Sequence, residues 1–177
     1  MATILGGTKT TLLSMPIAVA VDMAGRVYVG DRIDNNVRAY TAAGVWGGVE
    51  ATGSFNDLAV DSSGNLYIAD GMRVLKRNGS GVISTYAGDA YLLAVGDGGE
   101  ATAAQLFRPA AVALDFAGNL YIADAGTARI RKVSGAGIIG TIAGNGVAAF
   151  AGDGGWRLRR RWTIRWGWRW MLREICW

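Results

Sequence analysis

The chain has 177 residues, enough for one ordinary domain, and 51% of them are hydrophobic, which is sufficient to build a core. With 27 glycines and only two prolines, the composition suits many short strands joined by tight turns. The sequence contains no histidine, which excludes Ser-His-Asp catalysis, histidine-ligated zinc and histidine acid–base chemistry.

The formal charge of +4 is concentrated at the C-terminal end. The segment 156–177 holds seven arginines and one acid, and removing these from totals of 18 basic and 14 acidic residues leaves 11 and 13. The remaining chain is therefore mildly acidic, at −2, which argues against a nucleic-acid-binding surface there. The only cysteine, Cys176, also lies in this segment, so the rest carries no disulfide framework.

One pattern occurs three times: a short aliphatic run, an aspartate, a glycine turn, and a second apolar run that ends in aspartate. The copies are AVAVD at 18–22 with GRVYVGD at 25–31, LAVD at 58–61 with GNLYIAD at 64–70, and AVALD at 111–115 with GNLYIAD at 118–124. Asp22, Asp61 and Asp115 are separated by 39 and 54 residues. A period of this size indicates a repeat architecture.

Each copy predicts four strands. The Asp-x-x-Gly step predicts a hairpin turn, because the aspartate accepts nearby N–H groups and glycine adopts the left-handed conformation. The nearly unbroken apolar run of the second strand indicates burial on both faces. Third strands are predicted at 37–40, 73–76 and 129–133, and fourth strands at 45–49, 82–86 and 138–142.

Four antiparallel strands in a repeat of roughly 40 residues are typical of a β-propeller blade. We therefore predict an all-β chain: a partial β-propeller of about three four-stranded antiparallel blades, with an irregular C-terminal tail. The propeller region is expected to span 1–155, with blades at about 16–50, 57–87 and 109–143. One short helical turn is expected at 101–106, in the long connection before the third blade.

The motifs of the third copy resemble the NHL repeat. They are PAAVALDFAGNLYIAD at 109–124, RIRKV at 129–133 and GIIGTIAG at 137–144. The connection GDGGEATAAQL at 96–106 is similar to NHL repeats of large bacterial proteins and of teneurin-like propellers. The resemblance covers 16–155 and implies a ring closed by further blades, about 4–8 in all. It also implies a non-catalytic scaffold for a protein or carbohydrate partner, extracellular or at the cell surface in the full-length parent.

The segment 156–177 reads WRLRRRWTIRWGWRWMLREICW. Taken literally, it is a cationic peptide suited to anionic lipid or nucleic acid. A shifted reading frame converts 166–171 into Gly, an apolar residue, Ala, an apolar residue and Asp, which is the start of a fourth repeat in phase. We therefore predict a frameshifted remnant of a further repeat, and we expect neither nucleic acid nor membrane as a partner unless the tail is genuine.

The predicted binding residues lie in blade-edge loops: Arg32, Asn35, Asn36, Arg73 and Arg108. No catalytic residue, metal ligand or cofactor is predicted, and the expected partner is a protein or glycan. The alternative is a fragment of a propeller lyase or lactonase, which would need a carboxylate cluster at the mouth of the channel.

Other conspicuous residues are interpreted as structural. Asp22, Asp61 and Asp115 are predicted to cap turns. Asp31, Asp70 and Asp124 are predicted to pair across hairpins with Arg38, Arg73 and Arg129. The GDGG motifs at 96–99 and 152–155 are interpreted as inter-blade turns, the tyrosines 28, 67 and 121 as inter-blade packing, and the basic third strands as solvated outer strands.

A partial ring leaves one blade flank uncovered at each end. Each buried Val, Leu or Ile side chain is worth roughly 1.5–3 kcal/mol, so uncovered flanks are costly. We therefore expect an isolated chain that is marginally stable, partly open, or self-associated through the open blade flanks.

Overall fold

The structure is a computed structural model that describes residues 13–88 and 96–147. Two subjects of prediction lie outside those residues: the second GDGG motif at 152–155 and the tail at 156–177. In the described ranges, no helix has the length and apolar character needed to cross a bilayer.

Twelve strands form three four-stranded antiparallel sheets, which confirms the all-β prediction. The first sheet contains β1 (Pro16–Val21), β2 (Val27–Asp31), β3 (Asn36–Tyr40) and β4 (Trp46–Thr52). The second contains β5 (Asp57–Val60), β6 (Leu66–Asp70), β7 (Arg73–Arg77) and β8 (Ile83–Ala87). The third contains β9 (Pro109–Leu114), β10 (Leu120–Asp124), β11 (Arg129–Val133) and β12 (Ile139–Ala143).

Within each sheet the strands pair in chain order, as a propeller blade requires. The largest difference from the predicted strands is β4, which runs to Thr52 rather than ending at residue 49. Its pairing with β3 shifts register at two places, between Val37 and Arg38 and between Ala39 and Tyr40. Such bulges insert extra residues into a strand, so a periodic pattern underestimates its length.

The first hairpin of every sheet is closed by its aspartate, as predicted. In the second sheet, Asp61 Oδ1 accepts the N–H groups of Ser63 at 2.9 Å and Asn65 at 2.8 Å, and Gly64 has a φ of 77°. Asp22 and Asp115 accept the N–H groups at the same two positions of their turns. These carboxylates therefore serve the fold.

The core lies between neighbouring sheets, in two clusters. The first joins Tyr28, Val37 and Ala39 of the first sheet to Leu58, Leu66 and Ile68 of the second. The second joins Tyr67, Ala69 and Val74 of the second sheet to Val112, Leu120 and Ile122 of the third. The first and second blades therefore each bury a flank on the blade that follows, and the packing role predicted for Tyr28 and Tyr67 is confirmed.

The connection before the third sheet pairs with that sheet's last strand. Gly98 donates its N–H to Ile139 O at 2.8 Å, and Ile139 donates back to Gly99 O at 3.0 Å. A 3-10 helix follows at Ala101–Ala103, which is shorter than the predicted turn. The side chains of Ala101, Ala104 and Leu106 are buried in the core between the second and third sheets. Residues 98–106 of the connection are thus a packed part of the third blade, paired at the outer edge of its sheet, rather than a free linker.

Candidate functional site

The strand ends at one edge of all three sheets form a common face. Main-chain hydrogen bonds join the turn after the second strand of each sheet to the segment that precedes the first strand of a sheet. Arg32 N donates to Met15 O at 2.9 Å, Arg108 N to Gly71 O at 3.1 Å, and Gly126 N to Phe107 O at 2.7 Å. We term this surface, made by residues 31–36, 70–73, 107–109 and 124–128, the arginine face.

Two buried aspartates fasten the chain at this face. Asp31 accepts the N–H groups of Ser14 at 2.6 Å and Met15 at 3.1 Å, and also those of Ile33 and Asp34 in its own turn. Asp124 accepts the N–H of Phe107 at 2.7 Å. Both carboxylates therefore tie a hairpin to the segment that precedes the inner strand.

The two aspartates differ in their electrostatic environment. Burial raises the pKa of Asp31, but the four main-chain N–H donors together lower it by more, so the pKa lies below its usual value. Burial also raises the pKa of Asp124, and the Thr127 hydroxyl and the Phe107 N–H offset this only in part, so that pKa is raised. At Asp31 the N–H donors outweigh the effect of burial, whereas at Asp124 the effect of burial is larger.

The predicted hairpin ion pairs are confirmed in one sheet. Asp70 Oδ2 lies 3.3 Å from Arg73 Nε in the second sheet. In the first sheet, the salt bridge of Arg38 is with Asp34. In the third sheet, Arg129 Nη1 donates to the carbonyl of Thr127 at 3.3 Å. The first and third aspartates bind main-chain N–H groups instead, because their hairpins lie against the preceding segment.

The five predicted binding residues all lie on the arginine face. Arg32 is exposed, and Asn35, also exposed, has a φ of 48° and accepts the Gly53 N–H at 2.8 Å. Asn36 begins β3, and its side-chain oxygen accepts from Arg38 Nε at 3.0 Å. These three residues form one patch on the first sheet.

The other two predicted residues meet at the junction of the second and third sheets. Arg108, which is exposed and has a φ of 56°, donates its main-chain N–H to the turn that precedes Arg73. Bonds of the first three residues stay within their own sheet, so the structure places two separate patches on one face. Ligand binding by these five residues stays a prediction.

Exposure separates these arginines from the other basic residues. Of the ten lysines and arginines in the described ranges, the exposed ones are Arg32, Arg73 and Arg108. The prediction of solvated third strands is therefore wrong for Arg131, which is buried, while the other basic residues of β7 and β11 are exposed or partly exposed. Arg131 is only 5% exposed, and Lys76 lies 5.3 Å from the centre of the Tyr67 ring. The connection covers Arg131 through Asp97, and Lys76 lies against tyrosine rings of its own sheet.

The first GDGG motif has the structural role predicted for it. Asp97 Oδ1 accepts from Arg131 Nη2 and from Thr141 Oγ1, each at 3.0 Å. Burial raises the pKa of Asp97, but the hydrogen bonds from Thr141 and the Arg131 charge lower it below its usual value. The carboxylate therefore neutralises a buried arginine and closes the inter-blade turn.

Sequence reasoning missed Glu50. This buried carboxylate on β4 forms salt bridges with Arg26 of its own sheet and with Arg77 of the second sheet. No local motif marks it, because its partners lie 24 and 27 residues away in the chain. Within the described ranges there is no group of three or more His, Cys, Asp or Glu residues that could hold a metal ion.

The tyrosine of each repeat donates a hydrogen bond from its hydroxyl to the turn aspartate. We expect Tyr67→Phe, which removes this bond, to lower the free energy of unfolding by about 1 kcal/mol. Tyr67 is buried, and its hydroxyl lies 3.2 Å from Asp61 Oδ2. The matched variant Tyr121→Phe loses the same bond to Asp115 at a half-buried site, so its cost should be smaller. Urea unfolding measures both values. An equal or larger loss for Tyr121→Phe would contradict the argument.

Comparison with known proteins agrees with this architecture. Residues 93–151, about a third of the chain, match the family model of the teneurin NHL domain. No curated protein matches the chain.

Solved structures share its fold. A protein of unknown function from Bacteroides thetaiotaomicron is 24% identical, with a TM-score of 0.62, over 73% of this chain and 36% of its own. A nidogen/laminin complex is 21% identical, with a TM-score of 0.60, over 75% and 49%. Virginiamycin B lyase from Staphylococcus aureus is 15% identical, with a TM-score of 0.52, over 72% and 40%. The chain thus spans between about a third and a half of these structures, and at such identities the likeness shows the fold alone.

Proposed function

We propose that this chain, an NHL-repeat β-propeller chain, belongs to a non-catalytic scaffold whose arginine face binds a protein or glycan partner. One observation carries the proposal: the exposed basic residues of the described ranges are Arg32, Arg73 and Arg108, and all three lie on that face. An exposed guanidinium held on rigid strand ends is a recognition group rather than a core element.

The chemistry of the face indicates an anionic partner. A guanidinium presents a planar fork of donors that matches carboxylate and sulfate groups. Asn35 adds an exposed amide beside Arg32. We therefore propose a partner that carries carboxylate or sulfate groups, as acidic glycans and acidic protein surfaces do.

Solved structures with this fold include a nidogen/laminin complex and a lyase, so fold alone does not choose between binding and catalysis. The carboxylates support binding. Asp31, Asp61 and Asp97 are each engaged in hydrogen bonds that hold turns or join segments, and these bonds keep their pKa values low. The pKa of Asp124 is raised, but that carboxylate is fully buried and bonds Phe107 and Thr127. A catalytic acid or base instead needs a pKa near the working pH.

A charge-removal experiment tests the proposal. The full chain carrying Arg32→Gln and Arg108→Gln is compared with wild type for binding to a heparin oligosaccharide, with uncharged dextran as the reference. We expect binding to weaken about tenfold, because two surface contacts of up to about 1 kcal/mol each are lost. Titration calorimetry at fixed salt measures the affinity.

The control removes equal charge elsewhere. Lys76→Gln with Lys132→Gln changes two half-buried cations that stack on tyrosine rings, and it leaves the segment 156–177 intact. We expect this pair to change heparin affinity less than about twofold. Equal weakening by both pairs would show that net charge alone is responsible, and the arginine face would lose its assignment.

A further inference from the structure

Aliphatic residues before the turn aspartate mark one flank of each sheet. In the second and third sheets, the residues three positions before that aspartate are Leu58 and Val112, both 4% exposed because they pack on the preceding sheet. The same position of the first sheet is Val19, which is 46% exposed, and its neighbour Val21 is 56% exposed. The first sheet therefore carries an uncovered copy of a flank that is buried elsewhere.

The opposite flank is uncovered at the other end of the array. Tyr67 and Val74 of the second sheet are 3% and 0% exposed, since they pack on the third sheet. Their equivalents in the third sheet, Tyr121 and Ile130, are half-buried, and Ala143 at the end of β12 is exposed. The third sheet therefore leaves partly exposed the same flank that the second sheet buries.

We propose that these two flanks bind each other between two copies of the chain, which closes a six-bladed ring from two arrays of three sheets. Val19 and Val21 of one copy would pack against Tyr121 and Ile130 of the other, as Val112 shares one core cluster with Tyr67 and Val74 within one chain. Six blades lie within the usual range of about 4–8.

A second copy fits better than an unrelated partner. The chain carries both surfaces that such a contact needs, and the same kind of contact already forms between its second and third sheets. The two flanks differ from one another, so the first-sheet flank of each copy would contact the third-sheet flank of the other copy. A twofold axis along the centre of the ring satisfies both contacts at once and covers both flanks formed by the described residues.

Sedimentation of the full chain tests the proposal. We expect wild type to sediment as two copies at micromolar concentration and to form nothing larger. Val21→Asp and Ala143→Asp, one on each flank, should each yield a single copy, because each places a charge in both contacts. The control Val82→Asp changes a valine that is 60% exposed in the turn between β7 and β8, away from both flanks, and should leave the dimer intact.

Mixing the two variants gives the most specific result. An equimolar mixture of Val21→Asp and Ala143→Asp can form one contact with both wild-type flanks, so dimers should partly return. Far-UV circular dichroism of each variant confirms folding, and Val19→Asp replaces Val21→Asp if that variant fails to fold. Single copies of wild type at every concentration, growth beyond two copies, or no recovery in the mixture would overturn the proposal.

Neither flank includes the three exposed arginines, so the dimer and the arginine face succeed or fail independently.

Discussion

Asp31→Asn is expected to lower the free energy of unfolding by about 3 kcal/mol at neutral pH, since charge-assisted hydrogen bonds are worth about 1.5–3 kcal/mol each. Asp31 is fully buried and accepts four main-chain N–H groups, two of them from the segment before β1. An asparagine has one acceptor oxygen, and its amide would face donors. Denaturant unfolding at pH 7 measures the loss.

The loss should depend on pH with a defined sign. The pKa of Asp31 is lower in the folded chain than in the unfolded chain. Its stabilisation is therefore complete above the ordinary aspartate pKa of about 3.9 and is lost as the pH falls through the lower folded value. The difference between wild type and Asp31→Asn should shrink over that acidic range. A difference that stays constant with pH would contradict the ionic origin of the effect.

Asp124→Asn is the matched control. Asp124 is equally buried but has one main-chain N–H donor and the Thr127 hydroxyl, and its pKa is raised. A raised pKa means that ionisation opposes folding, so any stabilisation from this group is greatest below the unfolded pKa and is lost as the pH rises through the folded value. We therefore expect Asp124→Asn to cost clearly less than Asp31→Asn at pH 7.

Ile122→Ala should destabilise the chain by about 2–5 kcal/mol, the range found when a buried isoleucine or leucine is truncated in a packed core. Ile122 is 0% exposed on β10 and belongs to the cluster between the second and third sheets. Its removal leaves a cavity between two sheets that are each held by their own hydrogen bonds, so neither sheet can easily collapse into it. Thermal or urea unfolding reports the change.

The control for Ile122 is the same substitution in the same sheet. Ile142 on β12 is 49% exposed, and we expect Ile142→Ala to cost less than about 1 kcal/mol because little area is removed from the core. A similar cost at both positions would mean that β-propensity, rather than packing between sheets, dominates these values. Measurement at low protein concentration separates chain stability from association.

The strands were predictable because each depends on neighbours in the sequence. The turn aspartates bond residues two and four positions further on, so the motif itself contains the interaction. Asp31 was predicted to pair across its hairpin, yet two of its donors lie 16 and 17 residues earlier in the chain. A local pattern cannot indicate which distant segment a hairpin will meet.

Alternation also misled for Arg131 of the third strand β11. Arg131 alternates with aliphatic residues, which is typical of an exposed edge. In the structure the connection delivers Asp97 to its side chain and covers it. The exposure of Arg32, Arg73 and Arg108 was, by contrast, predictable from their position in or beside turns, and their role in binding stays a prediction.

The pairing of the connection with β12 defines the unit in which the third blade could be duplicated. Gly98 and Gly99 bond Ile139, and Leu106 fills the core between sheets, so the last blade is incomplete without chain that precedes it. A gene duplication that begins at Pro109 would copy four strands but leave their outer edge unpaired. A duplication that begins at Gly96 would copy the third blade together with the segment that pairs with β12. For the third blade, the unit to copy is therefore offset from its sheet and begins near Gly96, whereas only residues 53–56 separate the first sheet from the second.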